Sequence, residues 1–150
     1  MKKLREVLTQ LSDEQKLQVL QQKYSVWGTP LYWAAVRGHT EIISTLLTSL
    51  QSSAYRLKLL IVSQNTTPLH SAAYSGYTES VKMILDCLTA DQQIRIMSVQ
   101  RGGWTTAIQI AERYRHTDTQ RVLREYLQRA IVTRMRENKG QFTFPQYLNE

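Results

Sequence analysis

The sequence predicts an all-α fold, a solenoid of stacked helix hairpins, and three observations carry that prediction. First, Thr67 to Leu88 (TPLHSAAYSGYTESVKMILDCL) is repeated by Thr29 to Leu50 (TPLYWAAVRGHTEIISTLLTSL) 38 residues earlier, and more loosely by Thr106 to Leu127 (TAIQIAERYRHTDTQRVLREYL) 39 residues later. Second, the two stronger copies open on Thr-Pro. The threonine can accept free N–H groups of a helix, and proline at the first helical position loses nothing by lacking its own N–H. Third, Val81, Ile84, Leu85 and Leu88 recur at i, i+3, i+4 and i+7, so the second half of the unit has one apolar side. A hairpin that cannot hide that side alone is sheltered by its neighbours in a row.

Taken in order, Leu4, Val7, Leu8 and Leu11 match Ile43, Leu46, Leu47 and Leu50 at a shift of 39, so the chain opens on an outer helix without its inner partner. Leu11 to Gln22 predicts a short extra helix, with Ser12 as N-cap, Asp13 and Glu14 in the first turn, and Leu17 and Leu20 on one face. Lys23 to Gly28 turns back to the first full hairpin. In it and in its stronger copy, Ala34, Ala35, Ala72 and Ala73 keep the inner helix thin, and Gly38 and Gly76 are free to take the positive φ that ends it. Thr78 is expected to cap the outer helix and Glu79 to place a negative charge at its start. The link from Gln51 to Gln64 is rich in Leu57, Leu59, Leu60, Ile61 and Val62 and predicts a second extra helix, followed by a turn from Ser63 to Thr66. Leu88 to Gln100 predicts a third, with Ile94 and Met97 inward, and Arg101 to Thr105 turns again.

The last hairpin is the weakest copy: Ala107 replaces proline, Arg115 replaces the turn glycine, and Gln120 and Arg124 stand where the others are apolar. Its outer helix is expected to run on as a long C-terminal cap, with Leu123, Tyr126, Leu127, Ala130, Ile131 and Met135 as the covered stripe and Gly140 as the stop. The tail QFTFPQYLNE carries Phe142, Phe144, Tyr147 and Leu148 around Pro145, and part of it is expected to fold back on the stack.

The pattern T-P-L-H-x-A-A-x-x-G-x-T-E resembles the ankyrin repeat, whose signature is T-P-L-H-x-A in a period of about 33 residues. Periods of 38 and 39 make these units lengthened ones, the excess lying in the linking helices. The resemblance implies an ankyrin-type α-solenoid with extra short linker helices. It would form one domain over residues 1–139: a half repeat at 1–11, repeats starting near 29, 67 and 106, and a capping helix to about 139, before a tail at 140–150.

At 150 residues and 42% hydrophobic content, the composition fits one soluble domain. There is no 18-residue apolar run, and Lys2-Lys3-Leu4-Arg5-Glu6 is unlike a secretory signal. A lone Cys87 forms no internal disulfide. The expected setting is the cytoplasm or another reducing compartment, with secretion as an effector into a host left open.

No catalytic, cofactor-binding or metal-binding residues are predicted. His39, His70 and His116 all sit inside the repeated motif, where hydrogen bonding to loops of neighbouring repeats is the expected role, and no spacing suggests a zinc site or a phosphate loop. The expectation is a non-enzymatic module for protein–protein interaction.

The resemblance carries partner-binding positions onto Val36, Arg37, Tyr74, Ser75, Arg113 and Tyr114, with Trp27, Gln64, Thr66 and Trp104 in the turns. Tyr, Trp and Arg are the usual interface anchors. Trp27 and Trp104 have a second reading, as staples between turns, and Trp33 is expected to pack between inner helices. The predicted partner is a protein of open identity, an acidic one suiting the net charge of +7, and the chain is expected to be a monomer. From Glu112 to Lys139 eight basic residues face four acidic ones, so the alternative is a scaffold whose basic C-terminal helix binds nucleic acid or an anionic membrane.

Overall fold

Threonine opens every inner helix. In the computed structural model, which describes residues 1–23, 28–61, 66–102 and 105–138, Thr29, Thr67 and Thr106 each accept a hydrogen bond from the backbone N–H three residues on. These caps start α3 (Pro30–Val36), α6 (Pro68–Ser75) and α9 (Ala107–Arg113). The outer helices are α1 (Lys2–Thr9), α4 (Thr40–Ser49), α7 (Thr78–Asp86) and α10 (Thr117–Glu137), and the linkers form α2 (Asp13–Leu20), α5 (Ser53–Ile61) and α8 (Ala90–Met97). No strand occurs among the described residues; Arg101 and Thr105 form an isolated bridge.

The helices stack in three columns. Inner helices follow α3, α6, α9; outer helices follow α1, α4, α7, α10; the linkers follow α2, α5, α8, and α10 also packs on α8. In the three full repeats equivalent apolar residues meet equivalent surroundings, Leu46, Ile84 and Leu123 all being fully buried, whereas Val7, at the matching place of the half repeat, is 58% exposed. Arg124, exposed, stands where Leu85 is buried, because no further outer helix covers α10 among the described residues.

The third column is tied to the others through helix ends. Lys16 donates to the Ser49 carbonyl at 2.7 Å, and Arg56 donates to the carbonyls of Leu47 (3.1 Å), Leu50 (2.8 Å) and Cys87 (3.2 Å). A cation at a helix C-terminus satisfies carbonyls that lack an intrahelical partner and complements the dipole. At the opposite end, the Asp13 carboxylate accepts from the N–H groups of Gln51 (2.8 Å) and Ser52 (3.1 Å) at the start of α5, bonds that hold its pKa below the usual value although burial opposes them.

The threonines of the outer helices do not cap. Thr40 and Thr78 are the first helical residues, and the N-caps His39 and Tyr77 make no side-chain cap bond. Their hydroxyls instead cross to the next repeat, Thr40 to Ser80 (3.2 Å) and Thr78 to Thr119 (2.8 Å). Two further expectations are corrected. Trp33 is 38% exposed. Its counterparts Ser71 and Ile110 are buried against the preceding inner helix, whereas the described residues place no inner helix before α3. Met135 is 45% exposed and Val122 buried, so the covered side of α10 is not the continuous stripe expected; it changes partners from α7 and α9 to α8 along its length. Asn138 is the C-cap of α10, and the expected stop at Gly140, the 140–150 tail, Trp27, Gln64 and Trp104 lie outside the described residues.

His70 is the central staple between repeats. Fully buried, it pairs Nδ1 with the Thr67 hydroxyl (2.8 Å), while Nε2 lies 2.9 Å from the Val99 carbonyl and 3.2 Å from that of Thr105. His116 reaches back in the same manner, its Nε2 2.9 Å from the Tyr74 carbonyl. His39 stands exposed at the start of α4.

Two measurements test these packing statements. Arg115 holds φ at 60° where the other repeats use glycine, a left-handed conformation that costs an L-residue about 1–2 kcal/mol. Arg115→Gly should therefore raise unfolding free energy in urea by about 0.5–1 kcal/mol, the gain reduced by the freer unfolded chain. Burial lowers the pKa of His70 to about 4, outweighing the raising effect of its two carbonyl partners. Between pH 6.5 and 4 the unfolded chain takes up a proton that the folded one refuses. Stability is thus complete above about pH 6.5 and declines on acidification, by about 3 kcal/mol in total at pH 4. His70→Gln keeps a residue type that completes the cap at Gln109 in the last repeat. It should lower stability at pH 7 and flatten the slope over this interval in pH-dependent thermal melts.

Candidate functional site

The inner helices and the turn before α9 enclose a groove of about 390 Å³, lined by Tyr32, Val36, Ser71, Tyr74, Ser75, Arg101 and Tyr114. Alanines on the inner helices leave the backbones close, so the larger residues at the ends of α3 and α6 project to one side. Tyr74 and Tyr114 come from successive repeats and are 45% and 48% exposed. Their rings meet edge-on at 4.4 Å between centroids and 64° between planes, a favourable aromatic geometry. Arg101 is held in the turn by its backbone pairing with Thr105 (N–H to carbonyl 2.7 Å), with Gly102 at φ 58° at the bend. No carboxylate lines this groove.

Of the residues expected at a binding face, the groove gathers Val36, Tyr74, Ser75 and Tyr114. Arg37 is exposed and outside the lining, its guanidinium 6.0 Å from the Trp33 ring centroid, and Arg113 is likewise exposed outside it. Thr66 is half-buried before the cap of α6 and does not reach the groove. Trp27, Gln64 and Trp104 belong to the undescribed turns. Tyr32, Ser71 and Arg101 were missed. The repeat register held a signal for the first: Tyr32 occupies the place of His70, whose side chain faces the next repeat.

At the basic end of the molecule three of the seven arginines from Arg113 to Arg136 meet a carboxylate. Arg121 meets Asp118 (3.3 Å) and Glu125 (3.4 Å), Arg124 lies 4.0 Å from Glu112, Arg134 meets Asp91 at 2.6 Å, and Arg129 lies over the Tyr126 ring at 5.2 Å. Tyr126 donates to Asp86 at 2.6 Å, and burial together with this carboxylate pushes the phenol up to about 12. Burial likewise pushes the Cys87 thiol up, against the pull of Arg56, away from the thiolate form a nucleophile requires. Among the described residues no group of three or more His, Cys, Asp or Glu could hold a metal ion, and no helix is long and apolar enough to cross a membrane.

A family model describing ankyrin repeats in three copies matches residues 2–96. No curated protein matches the chain. The matched region spans the half repeat, the first two full hairpins and their linkers, and the hairpin opened by Thr106 joins the same stack through the contacts of α9 with α6 and of α10 with α7. By sequence match, capped hairpins and stacking alike, the chain belongs to the ankyrin-repeat family.

Proposed function

We propose that this protein is a non-enzymatic interaction module that holds a protein partner along the inner-helix groove. Ankyrin repeats generally mediate protein–protein interaction. The observation that carries the reading here is the exposed Tyr74–Tyr114 pair, which spans two repeats inside a groove. Two-torsion aromatic side chains bury much area at low entropic cost, and a phenol keeps a polar end for orientation. With Arg101 in the lining and no carboxylate among the lining residues, the groove suits a partner segment that brings its own acid. The raised thiol of Cys87 and the stapling roles of His70 and His116 support a binding role over catalysis.

The rival reading, a basic C-terminal helix bound to nucleic acid or anionic membrane, has less support. The pairs made by Arg121, Arg124 and Arg134 fit a solvated cap.

An affinity capture followed by mass spectrometry, run in parallel on the native chain and on Arg37→Ala/Tyr74→Ala, tests the proposal. The double variant should lose the captured partner by tenfold or more, about 1.4 kcal/mol. Its melting temperature should fall only a few degrees, since Tyr74 gives up little beyond its contact with Tyr114. Undiminished capture, or a collapse of the melting curve, would show that these residues serve the stack instead.

A further inference from the structure

The third column of helices creates a second groove, remote from the inner-helix face. Linker helices α5 and α8 wall a cleft of about 690 Å³, with Leu57, Ile61 and Ile94 along its floor. Lys58 on α5 and Arg95 on α8 stand exposed on its opposite sides. Lys58 rests 5.3 Å from the Tyr55 ring, and neither cation meets a carboxylate among the described residues. The acid in the lining, Asp91, is already neutralised by Arg134 at 2.6 Å. Formal charge over the lining is therefore positive by two: Lys58, Arg95 and Arg134 against Asp91.

We infer that this cleft docks an acidic amphipathic helix of a partner protein, independently of the inner-helix groove. An extended segment would bury N–H and C=O groups against an apolar floor, and no strand edge lies among the described residues to satisfy them. A helix satisfies its own backbone and offers one apolar ridge. Walls of nine and eight residues run about 12–13 Å, a little over two turns, so two successive apolar turns of the partner fill the cleft. Glutamates or aspartates flanking that ridge then face Lys58 and Arg95 on either side, and like charges there would be repelled.

The test uses two synthetic helical peptides of about 18 residues. They share one leucine face; glutamate flanks it in one and lysine in the other. Fluorescence anisotropy with the full chain should show saturable binding of the glutamate peptide and none of the lysine peptide. Lys58→Glu/Arg95→Glu, at two exposed positions, should weaken the glutamate peptide about tenfold and admit the lysine peptide. Ala54→Glu, exposed on the same wall, should weaken the glutamate peptide alone if the double variant fails to fold by circular dichroism. Tyr74→Ala should change nothing, which separates this cleft from the inner-helix groove. The proposal is overturned by equal binding to native and charge-reversed chains, or by no binding to either. It is equally overturned if binding appears only after residues 139–150 are removed, which would make the tail the occupant. A native dimer in sedimentation that the charge reversal dissolves would make a second copy the occupant and overturn it too.

Discussion

Alanine at the middle of the inner helices is the constraint on which the rest depends. Ala35, Ala72, Ala73 and Ala111 are fully buried, and Ala34 nearly so. A methyl group there lets α3, α6 and α9 approach closely, and a larger side chain would have to displace a neighbouring backbone. That spacing in turn fixes how far each turn overhangs the next repeat. It brings His70 within reach of the Val99 and Thr105 carbonyls and His116 within reach of Tyr74, and it sets Tyr74 beside Tyr114. Glu112 stands in the place of Ala35 and Ala73 and is exposed, since no inner helix follows α9 among the described residues.

The lengthened period has a structural purpose visible in the ties it makes. Each linker helix carries side chains that close the ends of helices in other columns: Lys16 on α4, Arg56 on α4 and the end of α7, Gln93 on the carbonyl of Leu85 at 2.8 Å. Successive linkers also hold one another, Asp13 at the start of α5 and Gln92 on the Ser53 hydroxyl at 3.2 Å. A two-column stack presents one side of its outer helices to water. Here a third column packs beside the others, so the molecule has two unlike surfaces, one rich in tyrosine and one walled by short helices with a cationic edge.

Much of this was legible in the sequence because local rules and tertiary packing agree. Thr-Pro starts, glycine stops and the i, i+3, i+4, i+7 run each point to one conformation, and Ser12 caps its linker helix as read. Failures came where a residue's role is set by what lies across a repeat. Thr78 has the chemistry of a cap, but its hydroxyl is drawn to Thr119, 41 positions on, a partner no local window reveals. Trp33 was expected inside because its neighbours Leu31 and Ala34 are; its exposure follows from its place at the edge of the inner column. Of the groove, the positions carried over from family resemblance yielded Val36, Tyr74, Ser75 and Tyr114. Tyr32 and Arg101 join them only once the turn and the two inner helices are brought together in space.

The helix α10 braces α7, α8 and α9 at once, touching all three columns, whereas α1 leans chiefly on α4. Translation delivers α10 after every helix it braces. While the ribosome is still reading toward Glu137, the earlier hairpins can pair but remain unlatched on their far side. The arrival of one 21-residue rod then secures the last three helices together. Rigidity in this stack is therefore graded, greatest beside α10 and least beside α1.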